Sequence, residues 1–486
     1  MTPFSSVLEF YMREKNIKTY AIAQFCGIDR SNMYKMINGK RNPVSEELVE
    51  QIAEYMRLKP MERNHLVEAY QITVMGYDTY HRRKSVEDFL MSFSKHFLEM
   101  EEKRLPREYV TINVNEQKLK SWQGSMIKDR ELKNLISNVL DIEIKRPSGK
   151  IYLMMQPEGE YVMDILALAG TKGKDLTIEH IFCLSNTNDI AAGKKDYNLW
   201  CLKNILPMFV QCVCDYQPYC YYDNIVSHNN RFNLLSSMIV TSEYVILFSM
   251  EEKYGTLLLE KDAIQYFQQL FQTLKRDTSL IACKMDSLEK QLNSFESIDF
   301  YNKGIGFQPE SCLIPMLPPT FVEKYMEKNL LLRQAVKERV CQYICHAHQV
   351  LETSKATFIF TEEGIQRFVN TGRITELPES IYRPLEYKDC LLLVRRLIKE
   401  CESGRYRMLR PDAPVSDIGI CVYSAAKEGY LLLQGARKDR IFLELHESGL
   451  LYAFQDYFDA LNEKYFYSKS EAIDILKGLE KGKQVR

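Results

Sequence analysis

Residues 19–43, TYAIAQFCGIDRSNMYKMINGKRNP, carry the pattern of two short helices joined by a tight turn. Such a pair needs a small residue where the helices touch and a residue that tolerates positive φ in the turn. Ala23 and Gly27 occupy these two places. Apolar residues must also lock the second helix onto the first, and the sequence supplies Ile22, Ile28, Met33 and Met36. The stretch therefore predicts a helix-turn-helix.

Five helical patterns, including these two, fill the first part of the chain. They cover about residues 4–15, 19–26, 30–38, 45–57 and 60–74. Residue types that cap helix N-termini stand at three of the starts: Thr19, Asp29 and Ser45. Pro60 stands where a fifth helix can begin, and Gly39 stops the third. We therefore predict a compact all-α domain over residues 1–78.

The stretch from Thr19 to Gly39, with Lys40-Arg41-Asn42-Pro43 after it, resembles the Xre-like helix-turn-helix family of the lambda-repressor and Cro type. Counted from Thr19, the small alanine is fifth, the glycine ninth, and the apolar residues fourth, tenth, fifteenth and eighteenth. The resemblance covers residues 5 to about 75. Ile37-Asn38 departs from it, since many relatives have Trp-Glu or similar there. The resemblance implies a DNA-binding transcriptional regulator.

The resemblance also assigns roles to six polar residues. It implies that Arg30, Ser31, Asn32 and Lys35 face the major groove and that Lys40 and Arg41 meet phosphates. Side-chain chemistry agrees, because arginine can pair with guanine O6 and N7 and asparagine with adenine N6 and N7. From Arg30 to Arg41 there are four basic residues and no acidic one. A helix used only for protein contacts is the alternative, although a solvated face usually mixes both signs of charge.

Residues 79–104 indicate a linker and a connecting helix. Ser85 is placed to cap a helix over about 86–103, on which Phe89, Phe93 and Phe97 recur at intervals of four. The apolar face that they form either packs on the C-terminal region or makes a dimer surface. Both alternatives stay open from the sequence.

Beyond residue 105 short apolar runs alternate with helical segments, which indicates a mixed α/β region. A proline-rich passage at 309–319 marks a boundary, so we predict a sensor domain at 105–308 and a C-terminal domain at 309–486. The fold class is thus α+β multidomain, with a five-helix N-terminal helix-turn-helix domain. The predicted apolar strands lie near 110–114, 150–155, 160–168, 178–184, 237–249, 356–360, 417–423, 429–434 and 440–445, and one long helix near 320–352.

One internal similarity suggests a repeated module. Glu243–Leu274 has the pattern of a strand, Gly255, a strand and a helix, and Asp417–Leu461 has the pattern of a strand, Gly429, strands and a helix. A hairpin followed by an amphipathic helix is common, so repetition and coincidence both remain possible.

Composition limits the class of protein. The 486 residues, 45% of them apolar, exceed one ordinary domain, and the net charge of −1 means that DNA binding would require a local basic patch. No apolar stretch approaches the roughly 20 residues that span a bilayer, and residues 1–15 lack the apolar core of a secretion signal. We expect a cytoplasmic protein without membrane association, whose thirteen cysteines are reduced thiols.

Catalytic and metal-binding signatures are weak. The phosphate-binding Gly-x-x-x-x-Gly-Lys-Ser/Thr, His-Glu-x-x-His and Gly-x-Ser-x-Gly patterns are missing. Residues 176–274 resemble phospholipase D-like sensor domains, but none of the eight histidines begins a His-x-Lys sequence. Two groups of residues could supply metal ligands. One is Cys341, Cys345 and His348, and the other is Cys212, Cys214 and Cys220. Ordinary buried cysteine thiols explain both groups more simply. We expect no enzyme activity, cofactor or metal.

These observations predict a sequence-specific DNA-binding regulator with a C-terminal region for effector sensing or oligomerisation. Its expected partners are double-stranded DNA, a second copy of the chain in a homodimer, and a small-molecule or protein effector of unknown identity. Two alternatives remain: an enzyme or defence effector that carries a helix-turn-helix module, and a protein-interaction scaffold.

Overall fold

The computed structural model describes residues 1–102, 116–170, 175–186, 196–225, 234–298, 303–415, 420–425, 427–434 and 440–481. The predicted strand at 110–114 lies outside this part, as do the side chains of Phe93 and Phe97.

Residues Met1–Ser85 form one compact unit. Its core is built from side chains of several helices, among them Phe4, Ile22, Met33, Val49 and Leu66, all at most 1% exposed. The five predicted helical segments are helices, with bounds that differ from the predicted ones by at most two residues. They are α1 (Pro3–Glu14), α2 (Thr19–Phe25), α3 (Arg30–Ile37), α4 (Glu46–Tyr55) and α5 (Pro60–Met75).

The predicted caps hold only in part. The Ser45 hydroxyl accepts the Leu48 amide at 3.4 Å and Pro60 is the first residue of α5, as predicted. Asp29 occupies the N-cap position of α3, but its side chain makes no cap hydrogen bond. Thr19 is the first helical residue of α2 and not its cap.

Residues Val86–Arg486 form the second compact unit. Its helices and strands, with the helix that leads into it, make the chain an α+β multidomain protein. In order they are α6 (Tyr77–Glu102), α7 (Glu116–Trp122), β1 (Ile127–Lys128), α8 (Asp129–Ile144), β2 (Lys150–Met154), α9 (Glu160–Gly170), β3 (Thr177–Ser185), α10 (Tyr197–Gln211), β4 (Asp215–Asp223), β5 (Ser237–Val240), β6 (Val245–Phe248), β7 (Tyr254–Leu258), α11 (Lys261–Lys275), β8 (Ser279–Leu280), β9 (Ala282–Lys284), α12 (Leu288–Ser297), β10 (Ile305–Phe307), α13 (Thr320–Tyr325), α14 (Arg333–Thr353), β11 (Thr357–Thr361), α15 (Glu362–Thr371), α16 (Tyr387–Ser403), β12 (Tyr406–Leu409), β13 (Ile420–Ala425), β14 (Glu428–Gln434), β15 (Arg440–Leu445), α17 (Ser448–Asp459) and α18 (Lys469–Lys481).

The strands of this unit form two mixed sheets. The first runs in the order β1-β7-β6-β5-β2-β3-β4-β8, and the second in the order β12-β11-β10-β13-β14-β15-β9. In the first sheet β2, β3 and β4 are parallel and the other neighbours antiparallel. In the second sheet β10, β11 and β12 are parallel and the other neighbours antiparallel.

The two sheets repeat one topology. β9 to β15 take the places of β1 to β7, strand for strand, in order and direction. β8 pairs antiparallel with β4, and a bridge between Leu409 and Phe466 stands at the equivalent edge beside β12. The similarity seen in the sequence therefore falls on a structural repeat. Its two helices, α11 and α17, follow the equivalent strands β7 and β15, but its glycines do not match, because Gly255 lies in β7 and Gly429 in β14.

One apolar core extends across both sheets. It joins Ile151 and Phe182 of the first sheet to Val422 and Leu443 of the second.

Phe89 of α6 packs edge-on against Phe454 of α17, with 5.7 Å between ring centroids. The described part of the α6 apolar face is therefore covered by its own chain. Helix α6 begins at Tyr77, so Ser85 is an interior residue and not its cap.

Residues 160–168, predicted as a strand, belong to helix α9. The run is apolar enough for either assignment, and its buried residues Val162, Ile165 and Leu166 follow helical spacing. The decisive contact comes from far along the chain: the Glu252 carboxylate accepts the Val162 amide at 3.0 Å, which satisfies a donor of the first helical turn.

The predicted helix at 320–352 is two helices, α13 and α14. Between them Met326 forms an antiparallel bridge with Tyr382, and Leu332 takes a left-handed conformation at φ 54°.

The predicted domain boundary at 308/309 comes directly after β10, whereas the second sheet already begins at β9. No helix in the described ranges is both long and apolar enough to cross a membrane.

Candidate nucleic-acid interface

Gly27 and Gly39 end helices α2 and α3 in the same way. Their φ angles are +63° and +67°. The amide of Ile28 after α2 and the amide of Lys40 after α3 each donate to the carbonyl oxygen five residues earlier, at 3.0 and 2.8 Å. This is the Schellman ending, which favours glycine because a Cβ is strained at positive φ. The turn at Gly27 leads the chain into α3, and the turn at Gly39 places Lys40 beside the C-terminal end of α3.

Two methionines set the rotation of α3 about its axis. Met33 and Met36, one turn apart, are 0% and 3% exposed and pack in the core of the N-terminal unit with Ala23. The opposite face of the helix must then point to solvent. On that face Arg30, Ser31 and Lys35 are exposed and Asn32 is half-buried.

Lys40 and Arg41 extend this polar face beyond the end of α3. Both side chains are exposed. The Arg41 guanidinium donates from Nη1 to the Asn32 Oδ1 at 2.8 Å. The sequence did not reveal this bond, which fixes the amide of Asn32 with its Nδ2 donor turned away from Arg41. All six predicted site residues therefore lie together on and beside α3.

The charge around α3 is unbalanced. In the described part of the chain, no carboxylate lies within ion-pair distance of Arg30, Lys35, Lys40 or Arg41. Three cations elsewhere in the same unit do have partners: Arg13 pairs with Glu9 at 2.6 Å, Lys15 with Glu62 at 2.8 Å, and Arg63 with Glu50. The four cations form one local positive surface, called the α3 patch below.

Tyr34 is a further candidate that the sequence reasoning missed. Its ring is 60% exposed and it lies one helical turn after Arg30. A phenolic hydroxyl can donate to a phosphate oxygen, and the ring can contact sugar or base. The i, i+4 spacing from Arg30 was the available signal.

His180, a buried residue of β3, serves the core. Its Nδ1 is 2.8 Å from the Tyr216 hydroxyl and its Nε2 is 2.9 Å from the Met155 carbonyl. Burial lowers the pKa of His180 from its ordinary value to about 4. Both ring nitrogens are occupied, so this imidazole is a structural part of β3.

The cysteine groups seen in the sequence do not assemble into ligand sets. Cys212, Cys214 and Cys220 are buried in the core that extends across the two sheets. Cys341 is half-buried and Cys345 exposed on α14. Within the described ranges, the ligand atoms of Cys341, Cys345 and His348 do not converge on one point. Cys212, Cys214 and Cys220 are therefore buried thiols, as expected, but the same expectation was wrong for Cys345, which is exposed.

Comparisons with known proteins give little guidance. No protein-family model matches the chain, and no curated protein matches it. Solved structures with some likeness include a phosphatidylserine synthase from Haemophilus influenzae Rd KW20, at 10% identity and TM-score 0.20 over 74% of this chain and 92% of that one. Another is a polyphosphate kinase from Porphyromonas gingivalis, at 11% identity and TM-score 0.21 over 78% of this chain and 61% of that one. Likeness this weak carries no argument.

Proposed function

We propose that this chain is a sequence-specific DNA-binding transcriptional regulator whose helix α3 enters the major groove. The observation that carries the proposal is the α3 patch, four exposed cations without ion-pair partners in the described residues around one helix face. Phosphates of duplex DNA supply the opposite charge at high density, and the major groove admits an α-helix.

The proposal gives each site residue a role. Arg30, Ser31 and Asn32 occupy the first turn of α3, the end that reads base edges when this kind of helix docks. Lys35 lies one turn further along the exposed face. Lys40 and Arg41 stand beyond the helix end, where they meet the sugar-phosphate backbone. Arg41 has a second role, since it holds the Asn32 amide.

Backbone donors add to the attraction for phosphate. The Asp29 side chain makes no cap hydrogen bond to α3, so the N-cap residue leaves the first-turn amides of this helix available. Helix N-termini attract phosphate because these donors and the helix dipole point outward.

We further propose that the protein binds DNA as a homodimer and that residues 86–486 respond to an effector. Regulators of this kind read two half-sites related by two-fold symmetry. An effector that binds one arrangement of the dimer more tightly would shift its population and thus the DNA affinity. The dimer surface lies outside Val86, Phe89 and Leu90, which are buried within the chain.

Selection from a pool of random duplexes tests the proposed function. The full-length protein should enrich one consensus sequence with two related halves after several rounds at physiological salt. A protein-interaction scaffold would enrich none, and recovery of an unchanged random pool would refute sequence-specific binding.

The dimer is checked by light scattering coupled to size exclusion. At micromolar concentration we expect twice the 57.0 kDa mass of one chain, alone and on the selected duplex. A mass of 57.0 kDa under both conditions would contradict the dimer.

Lys40 and Arg41 should respond differently to alanine substitution. Lys40→Ala should weaken binding equally on all sequences and lower the slope of log K against log salt by about 1, because one phosphate contact is lost. Arg41→Ala should lower the slope similarly and also relax discrimination at the base that Asn32 reads. Titrations of selected and scrambled duplexes at several salt concentrations measure both effects.

Arg13→Ala is the matched control for these two variants. Arg13 is an exposed cation of the same unit that is already paired with Glu9. The Arg13→Ala substitution should leave the affinity for DNA and the slope of log K against log salt unchanged. Equal losses for Arg13→Ala and Lys40→Ala would show that overall charge, and not the α3 patch, governs binding.

A further inference from the structure

Cys283, Glu444 and His446 meet where β9 pairs with β15, at one edge of the second sheet. The register places Cys283 directly opposite Glu444. His446 is two residues beyond Glu444, so the two side chains leave the strand on one face. The His446 amide donates to the Ile281 carbonyl at 2.9 Å, which continues the pairing past the end of β15.

The three potential ligand atoms form a nearly equilateral triangle. The Cys283 Sγ is 3.6 Å from the Glu444 Oε2 and 3.5 Å from the His446 Nε2, and the nitrogen is 3.9 Å from the same oxygen. In a tetrahedral zinc site, bonds of about 2.3 Å to sulfur and about 2.0–2.1 Å to nitrogen or oxygen separate a sulfur ligand from its neighbours by about 3.5 Å. A cation can therefore contact all three atoms with little movement of the strands.

A nucleophilic cysteine–histidine pair would be built differently. Its carboxylate would hold the imidazole through the ring nitrogen that does not face the sulfur. Here Glu444 faces the thiol and the same nitrogen, Nε2, that faces the thiol.

We infer that Cys283, Glu444 and His446 bind one divalent cation of the Zn²⁺ class, with the fourth coordination position open to water. Thiolate and imidazole ligands favour zinc over magnesium or calcium, which prefer oxygen. On binding, the Cys283 thiol loses its proton to solvent, and the thiolate, the carboxylate and the neutral imidazole become ligands. His446 is partly exposed, which gives the cation a path of entry.

The position of the site suggests its consequence. β8 belongs to the first sheet and β9 to the second, so Cys283 lies where the chain passes from one sheet to the other. A cation held between β9 and β15 would stabilise this junction. Because the metal binds the folded state, the melting temperature should rise with Zn²⁺ concentration.

Cobalt provides the direct test, because it takes the place of zinc and absorbs visible light. Titration of reduced, metal-free full-length protein with Co²⁺ should give the near-ultraviolet band of a thiolate–cobalt bond and the visible bands of tetrahedral cobalt. Both should saturate at about one ion per chain. Addition of Zn²⁺ should abolish both the near-ultraviolet band and the visible bands, because zinc displaces cobalt from the site. Cys283→Ser and His446→Gln should weaken binding more than about 100-fold, since changes outside the ligand shell alone cost roughly 10–100-fold.

Cys345→Ser is the matched control, since Cys345 is an exposed cysteine on α14. It should bind Co²⁺ like the unaltered protein and show the same Zn²⁺-dependent rise in melting temperature. His446→Gln keeps the test valid if Cys283→Ser does not fold, because His446 is partly exposed. Three results would each overturn the inference: absence of the thiolate band, a band retained in Cys283→Ser or His446→Gln, or a band lost in Cys345→Ser alone.

Discussion

Alanine at Arg30 or Asn32 is expected to weaken binding to the selected duplex by about 1–3 kcal/mol while scarcely changing binding to random duplexes. Both residues lie in the first turn of α3, and neither belongs to the Met33 and Met36 anchor. The fold should therefore survive, and the loss should be one of base recognition. Fluorescence anisotropy with selected and scrambled duplexes measures the difference.

Arg30→Lys separates charge from geometry at the same position. Lysine keeps the positive charge but not the planar pair of donors that matches guanine O6 and N7. Binding to scrambled duplexes should stay near that of the unaltered protein, whereas the preference for the selected duplex should fall. If Arg30→Ala and Asn32→Ala left both affinity and preference unchanged, α3 would not be the reading helix.

Ala23→Leu is expected to destabilise the N-terminal unit by about 1–3 kcal/mol through overpacking, and to reduce DNA binding by unfolding. Ala23 is 2% exposed and packs with Ile22, Met33 and Met36. Thermal unfolding followed by circular dichroism, together with anisotropy, reports stability and binding on the same sample. Binding should decline with temperature in step with the helical signal.

Gln24 supplies the control for Ala23→Leu, and Gly27 supplies a destabilising change with a different cause, backbone strain. Gln24 is exposed, so Gln24→Leu should change the stability little. A Cβ at Gly27 would meet no atom within 4 Å, but the φ of +63° remains strained for alanine, so Gly27→Ala should cost about 1–2 kcal/mol. A stable Ala23→Leu variant that no longer bound DNA would contradict the packing explanation.

The helices of the first 75 residues were predictable because their signals are local. These signals lie within a few residues of the helix ends that they define. They are the spacing of the apolar residues, Ser45, Pro60, and the two glycines with positive φ, Gly27 and Gly39. Helix α9 was not predictable, because its first turn is satisfied by Glu252, about 90 residues away. The break between α13 and α14 likewise depends on pairing with Tyr382.

The sequence predicted the residues of the α3 patch because their spacing along the chain is local. It did not predict the contacts between their side chains. The bond from Arg41 to Asn32 joins residues on either side of the turn at Gly39, and it changes the expected effect of Arg41→Ala. The Cys283 cluster depends on the register between β9 and β15, strands that are more than 150 residues apart. Their spacing along the chain carries no metal-ligand signature.

We claim that the α3 patch binds DNA, which a single binding titration can decide. Full-length protein and the variant with alanine at Arg30, Lys35, Lys40 and Arg41 are titrated against the selected duplex at physiological salt. We predict tight, salt-sensitive binding by the unaltered protein and its loss in the variant, with equal helical signals. A variant that bound as tightly as the unaltered protein, or an unaltered protein that bound no duplex, would contradict the claim.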